Sequence, residues 1–153
     1  MIYIKQLFTN YLFISAGFSW LLAQFFKVFT DFYKNKSFTW ESFMSSGGMP
    51  SSHTATVCAL TTAAVLQNGV ASSEFAISAI LALIVMKDAA GVRLEAGKQA
   101  KAINRIIKEL FTGESHDIDS DLKEIIGHTP IQVAMGAFLG VFISIILYFT
   151  VIK

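Results

Sequence analysis

The sequence predicts an all-α protein: a polytopic membrane helix bundle of about four transmembrane spans, with an amphipathic helix on its cytoplasmic side. Three observations lead there. Of 153 residues, 54% are hydrophobic and only 15% are charged, where a soluble domain carries about a quarter. The mean hydropathy is +0.56, and the apolar residues are gathered into blocks rather than spread evenly. Small residues dominate the two middle blocks, which suits close helix contact within lipid.

The first block, residues 11–29, contains Gln24 and one basic residue, Lys27. It runs past Trp20 without a small-residue cleavage site, so it reads as a retained helix and not a signal peptide. The last block, 131–152, carries no charge. Crossing ~30 Å of hydrocarbon takes roughly 20 residues, a length both blocks meet. The blocks at 54–70 and 75–86 are shorter and read as tilted or partly shielded spans. Between them, Asn68-Gly69 marks a turn and Ser72 or Ser73 a helix start, giving an antiparallel hairpin.

Over 88–111 the pattern changes. Val92, Ala96, Ala100, Ile103, Ile107 and Leu110 recur every three or four residues, with Arg93, Glu95, Lys98, Lys101, Arg105 and Lys108 on the other faces. This is an amphipathic helix, either a solvated continuation of the third span or a helix lying on the membrane surface. A polar loop with His116 follows at 112–120, and Asp121 with Glu124 can cap a short helix ending at Gly127. The chain thus reads as a single domain, 1–153, with a polar insertion at about 94–126.

Several classes are disfavoured. The lone Cys58 precludes a disulfide within the chain, and a net charge of +1 gives no case for nucleic acid. No second histidine lies at ligand spacing from His116, so no metal and no cofactor are expected.

With four spans, both termini and the 67–73 turn fall on one side, while 30–53 and 87–129 fall on the other. Of the 12 Lys and Arg, only Lys5 and Lys153 belong to the first side. The positive-inside rule counts basic residues, which predicts a cytoplasmic second side in a cell inner or plasma membrane.

Both candidate chemical motifs lie on that second side. In Ser45-Ser46-Gly47-Gly48-Met49-Pro50-Ser51-Ser52-His53, glycines permit close backbone approach, serines supply donors, and the start of the following helix favours an anion. His53 could donate a proton to a phosphate ester oxygen. The same residues would also serve as a plain helix cap. In Gly127-His128-Thr129-Pro130-Ile131-Gln132, Thr129, Pro130 and Gln132 make an N-cap, N1 proline and capping box, leaving His128 one residue ahead of the cap. Two histidines, each beside a helix N-terminus, could clamp one phosphoryl group, one as nucleophile and one as acid. Arg93 is the best guanidinium for the phosphate oxygens, its alternative being an ion pair with Asp88.

These residues resemble a known family. Pro50-Ser51-Ser52-His53 resembles the Pro-Ser-Gly-His motif of the type 2 phosphatidic acid phosphatase superfamily, which includes vanadium haloperoxidases. The segment from His128 through Gln132 to Gly136 resembles that superfamily's His-x-x-x-Asp segment, and the whole set looks like its divergent bacterial and plant branch. The resemblance implies a metal-independent lipid phosphate phosphatase: His128 the nucleophile that becomes phosphohistidine, His53 the acid, Gln132 the residue orienting His128. It implies phosphate binding by Arg93, Ser51, Ser52, Gly48 and Lys27, although Lys34 and Asn35 stand where the first motif has Arg and Pro. The expected substrate is phosphatidic acid, phosphatidylglycerophosphate or a polyprenyl phosphate or diphosphate, and the expected surroundings a phospholipid bilayer. Four spans are few to enclose a site, which leaves room for a homodimer. Gln132 has no charge to stabilise an imidazolium, so the alternative is a non-catalytic protein that binds lipid headgroups or serves as a scaffold.

Overall fold

The computed structural model describes residues 2–35, 48–110, 122 and 127–152, and every described element is helical. A short helix α1 (Ile2–Leu7) precedes α2 (Tyr11–Asn35), α3 (Ser52–Asn68) and α4 (Ser73–Lys87). A single π turn (Asp88–Val92) joins α4 to α5 (Arg93–Leu110), and α6 (Pro130–Leu147) ends in a second π turn (Tyr148–Ile152). The local signals act as the sequence implies. Ser51, Ser72 and Thr129 cap α3, α4 and α6, and Gly69 closes α3. The 112–120 loop and the 121–127 helix expected from sequence lie outside the described residues, apart from Leu122 and Gly127.

Among the described residues, three stretches are long and apolar enough to cross a membrane: Tyr11–Thr30, Ser73–Leu110 and Pro130–Val151. The fourth apolar block, α3, has 17 residues and is the least lipid-facing of the bundle. It packs against α2, α4 and α6 and buries Thr54, Ala55, Ala59, Ala63 and Ala64 among them. The expected count of about four spans therefore resolves into three lipid-facing helices around a sheltered one. Alanine and threonine suffice in α3 because its neighbours, not lipid, solvate it.

The seam between α3 and α6 brings the two backbones into direct contact. A Cβ on Gly136 would overlap the Ser51 carbonyl, and one on Gly140 the Ala55 carbonyl. Without a hydrophobic drive in lipid, such backbone approach supplies the van der Waals contact that holds helices together. At the far end, the Tyr11 hydroxyl donates to the Ser144 carbonyl at 2.7 Å, tying the start of α2 to the end of α6. Ser51 lies beside the start of α6, and its N–H donates to the Gln132 carbonyl at 3.1 Å. The end of α2, the start of α3, the end of α4 and the start of α6 consequently meet at one end of the bundle.

The span Ser73–Leu110 is one continuous helical run of 38 residues. At 1.5 Å per residue that is about 57 Å, nearly twice the hydrocarbon thickness, so α5 extends beyond the lipid core. Its covered face differs from the apolar stripe expected from periodicity. Ala100 of that stripe is buried together with Gly97 and Asn104, whereas Val92, Ile103 and Leu110 of the stripe are exposed. Asn104 explains the offset: its side-chain amide donates to the Leu122 carbonyl and accepts from the Leu122 N–H, at 2.9 and 3.1 Å.

Candidate active site

Where the four helix ends meet, His53, Val85, Asp88, Ala89, Arg93 and His128 enclose a cavity of about 100 Å³. His53 occupies the first turn of α3 and is exposed. His128, ahead of the Thr129 cap, is only 2% exposed, and neither ring nitrogen has a hydrogen-bond partner among the described residues. Buried polar atoms are nearly always paired, and leaving one unpaired costs on the order of 1–3 kcal/mol. An imidazole held this way is poised for a ligand that supplies the missing partner.

His128 is docked through its backbone. In the π turn the Arg93 N–H reaches back to the Asp88 carbonyl. The Ala89 carbonyl accepts from the His128 N–H at 3.0 Å. Gly127 lies flat on the start of α5, just past that turn: a Cβ there would meet the Leu94 N at 2.5 Å and the Arg93 carbonyl carbon at 2.8 Å. The widened turn thus seats the histidine and carries Arg93 beside it. Such π insertions in α-helices recur at functional sites.

The electrostatics follow from burial. Desolvation is the main influence on His128 and pushes its pKa below the ordinary 6.5; the positive Lys27 and His53 act the same way, while Gln132 and the Gly48 backbone oppose it. Gln132 is near enough to bias the ring without meeting hydrogen-bond geometry. Its Oε1 accepts from the Thr129 N–H at 2.9 Å, completing the capping box. The balance keeps His128 neutral near pH 7, the form required of a nucleophile. Arg93 donates through Nε to Asp88 in a half-exposed ion pair on the cavity wall.

The residues expected from sequence divide into three groups. His53, Arg93 and His128 share the cavity. Lys27 and Gly48 adjoin it: Lys27 is fully buried, and its charge acts on both histidines. Gly48, at φ +93°, leans on the Lys27 stem, where a Cβ would stand 2.9 Å from Cγ. Ser51 and Ser52 are buried and off the cavity wall. The Ser51 hydroxyl caps α3 and accepts from Thr54 Oγ1 at 3.0 Å. Val85 and Ala89 were not foreseen, and Asp88 only as an ion-pair partner. The π turn that unites them leaves no signal in a sequence reading simply as helix.

The chain matches the model of the Divergent PAP2 family over residues 8–143. It belongs to that family. It is also 40% identical to an uncharacterized membrane protein, YuiD, of Bacillus subtilis (strain 168), over 93% of this chain and 96% of the relative. No solved structure matches it. Membership joins the chain to a phosphatase-related superfamily, and the apolar helices with the membrane-protein relative make it an integral membrane protein.

Proposed function

We propose that this member of the divergent PAP2 family is a metal-independent lipid phosphate phosphatase with its site at the cytoplasmic face. The observation that carries the reading is His128: buried, neutral, unpartnered at both ring nitrogens, and sharing one cavity with His53 and Arg93.

In this reading a His128 ring nitrogen attacks phosphorus while the ester P–O bond breaks, and His53 gives its proton to the departing oxygen. Arg93 and the buried Lys27 offset negative charge on the phosphoryl oxygens. A water then attacks the phosphohistidine, losing a proton to His53; the P–N bond breaks and inorganic phosphate leaves. The membrane setting favours a lipid ester such as phosphatidic acid, phosphatidylglycerophosphate or a polyprenyl phosphate or diphosphate. Basic residues assigned to the end of the bundle that holds the site favour its cytoplasmic orientation.

The test is phosphate release from a panel of these lipids by the purified chain and by His128→Ala and His53→Ala. Loss of turnover by about 10³-fold in His128→Ala is expected. Equal activity in wild type and both variants would remove the mechanism.

One observation favours a second reading. The Gln132 side-chain carbonyl is engaged by Thr129 and carries no charge, so this residue supplies no anion to steady the imidazolium. A non-catalytic protein that binds phosphate headgroups would show saturable lipid binding without release of phosphate.

A further inference from the structure

Beside the histidine cavity lies a second hollow, open and largely apolar, of about 650 Å³. It is lined by Leu83, Ile84, Lys87, Asp88 and Val92 and shares Asp88 with the cavity. All five residues sit on one face of the α4–π turn run, and Leu83, Ile84 and Val92 are 65%, 61% and 67% exposed. We infer that this trough is the lateral entry and seat for the hydrocarbon chain of a membrane lipid phosphate, whose headgroup passes Asp88 into the histidine cavity.

Depth in the bilayer matches the trough to such a lipid. Along this helix the apolar stretch ends at Met86, and Lys87 and Asp88 open the polar stretch. The trough straddles that boundary, with Leu83 and Ile84 on the hydrocarbon side and Lys87 at headgroup level. A lipid phosphate in the bilayer changes from chain to anion over the same interval. Lys87, a basic residue at the interface, attracts the anion and can snorkel aside as it passes. Because lipid tails are as apolar as the trough, the seat adds little hydrophobic affinity; it fixes the register of the phosphate against His128.

The inference rests on the phosphatase reading for its consequence but not for its test. The full chain in phosphatidylcholine vesicles is photolabelled with a phosphonate analogue of phosphatidic acid carrying a diazirine in its chain. The matched diacylglycerol is the control. Adducts on residues 83–92 are expected several-fold above that control, and Ile84→Trp and Leu83→Trp should each reduce them. In turnover, the same variants should lower kcat/KM for long-chain phosphatidic acid about tenfold, leaving p-nitrophenyl phosphate hydrolysis unchanged. Equal labelling by both probes, adducts confined to other helices, or equal effects on both substrates would overturn the seat. Phosphonate-selective adducts without turnover of any substrate would remove the phosphatase reading and leave the seat standing.

Discussion

The seam between α3 and α6 and the joint between the π turn and the 127–129 corner mount the two histidines by opposite means. At the seam, Gly136 and Gly140 lie against the α3 backbone, and Ser51 bonds across to Gln132. The contact runs over several turns of both helices, from Ser51 to Ala59 and from Gln132 to Gly140, and fixes His53 relative to the start of α6. The joint is a few atoms wide: one hydrogen bond to Ala89, one glycine face on Leu94, and an ion pair open to solvent. The long contact sets whether the bundle forms. The narrow one sets where the His128 imidazole lies and whether Arg93 stands beside it.

Breaking the seam is therefore expected to have the largest effect, on stability. Gly140→Leu drives a side chain into the Ala55 carbonyl and the Ala59 N, a main-chain clash that no rotamer relieves. A loss of about 3 kcal/mol or more is expected, read as a fall in the thermal unfolding midpoint in detergent. An unchanged midpoint would show that α3 and α6 are not in backbone contact. Gly127→Val attacks the joint instead, pushing His128 away from Ala89. Displacement of a reacting group by an ångström can cost about 10²-fold in rate, so phosphate release should fall by that order while the midpoint barely moves. Parallel loss of fold and activity would erase the distinction.

The difference between the two regions also governs what could be read from sequence. The seam is written in residue size, since small residues at four-residue spacing in apolar runs have few uses besides helix contact. The capping box at Thr129 and Gln132 was likewise legible, because it depends on neighbours three residues apart, and the α3 cap was legible as one of the two adjacent serines, Ser51 or Ser52. The two histidines and Arg93, which share the cavity, were singled out through motif and charge. The π turn was not, since DAAGV suits an α-helix as well, and its widening becomes evident only when Gly127 and His128 arrive from far along the chain. Expected phosphate ligands Ser51 and Ser52 proved to be buried off the cavity wall for the same reason: the motif fixes residue type but not which hydroxyl the cap consumes.

The absence of charge on Gln132 sharpens the comparison chemically. Gln132→Asp keeps an acceptor for the Thr129 N–H and places an anion near the His128 ring. A carboxylate favours the imidazolium, so the His128 pKa should rise from its lowered position. In the wild type, the neutral nucleophile persists below pH 6.5, and kcat/KM should decline only as the pH falls through that depressed value. The variant should move this acid limb toward higher pH and raise kcat near neutrality about tenfold, through the stabilised imidazolium. An acid limb at the same pH in both proteins would show that Gln132 does not act on the nucleophile.

The smallest expected effect comes from the far side of the joint. Asn104 holds both polar groups of the Leu122 backbone, six residues before His128. Each such bond contributes about 1 kcal/mol net, and neither touches the cavity. Asn104→Ala should lower the unfolding midpoint by less than Gly140→Leu does and lower phosphate release only a few-fold. Hydrogen exchange is the more telling measurement. The Leu122 amide should exchange about tenfold faster, matching one lost bond, while the His128 amide, held separately by Ala89, keeps its protection. If both amides loosen together, α5 and the π turn hold the 122–128 stretch as one unit, and the narrow joint is broader than its visible contacts.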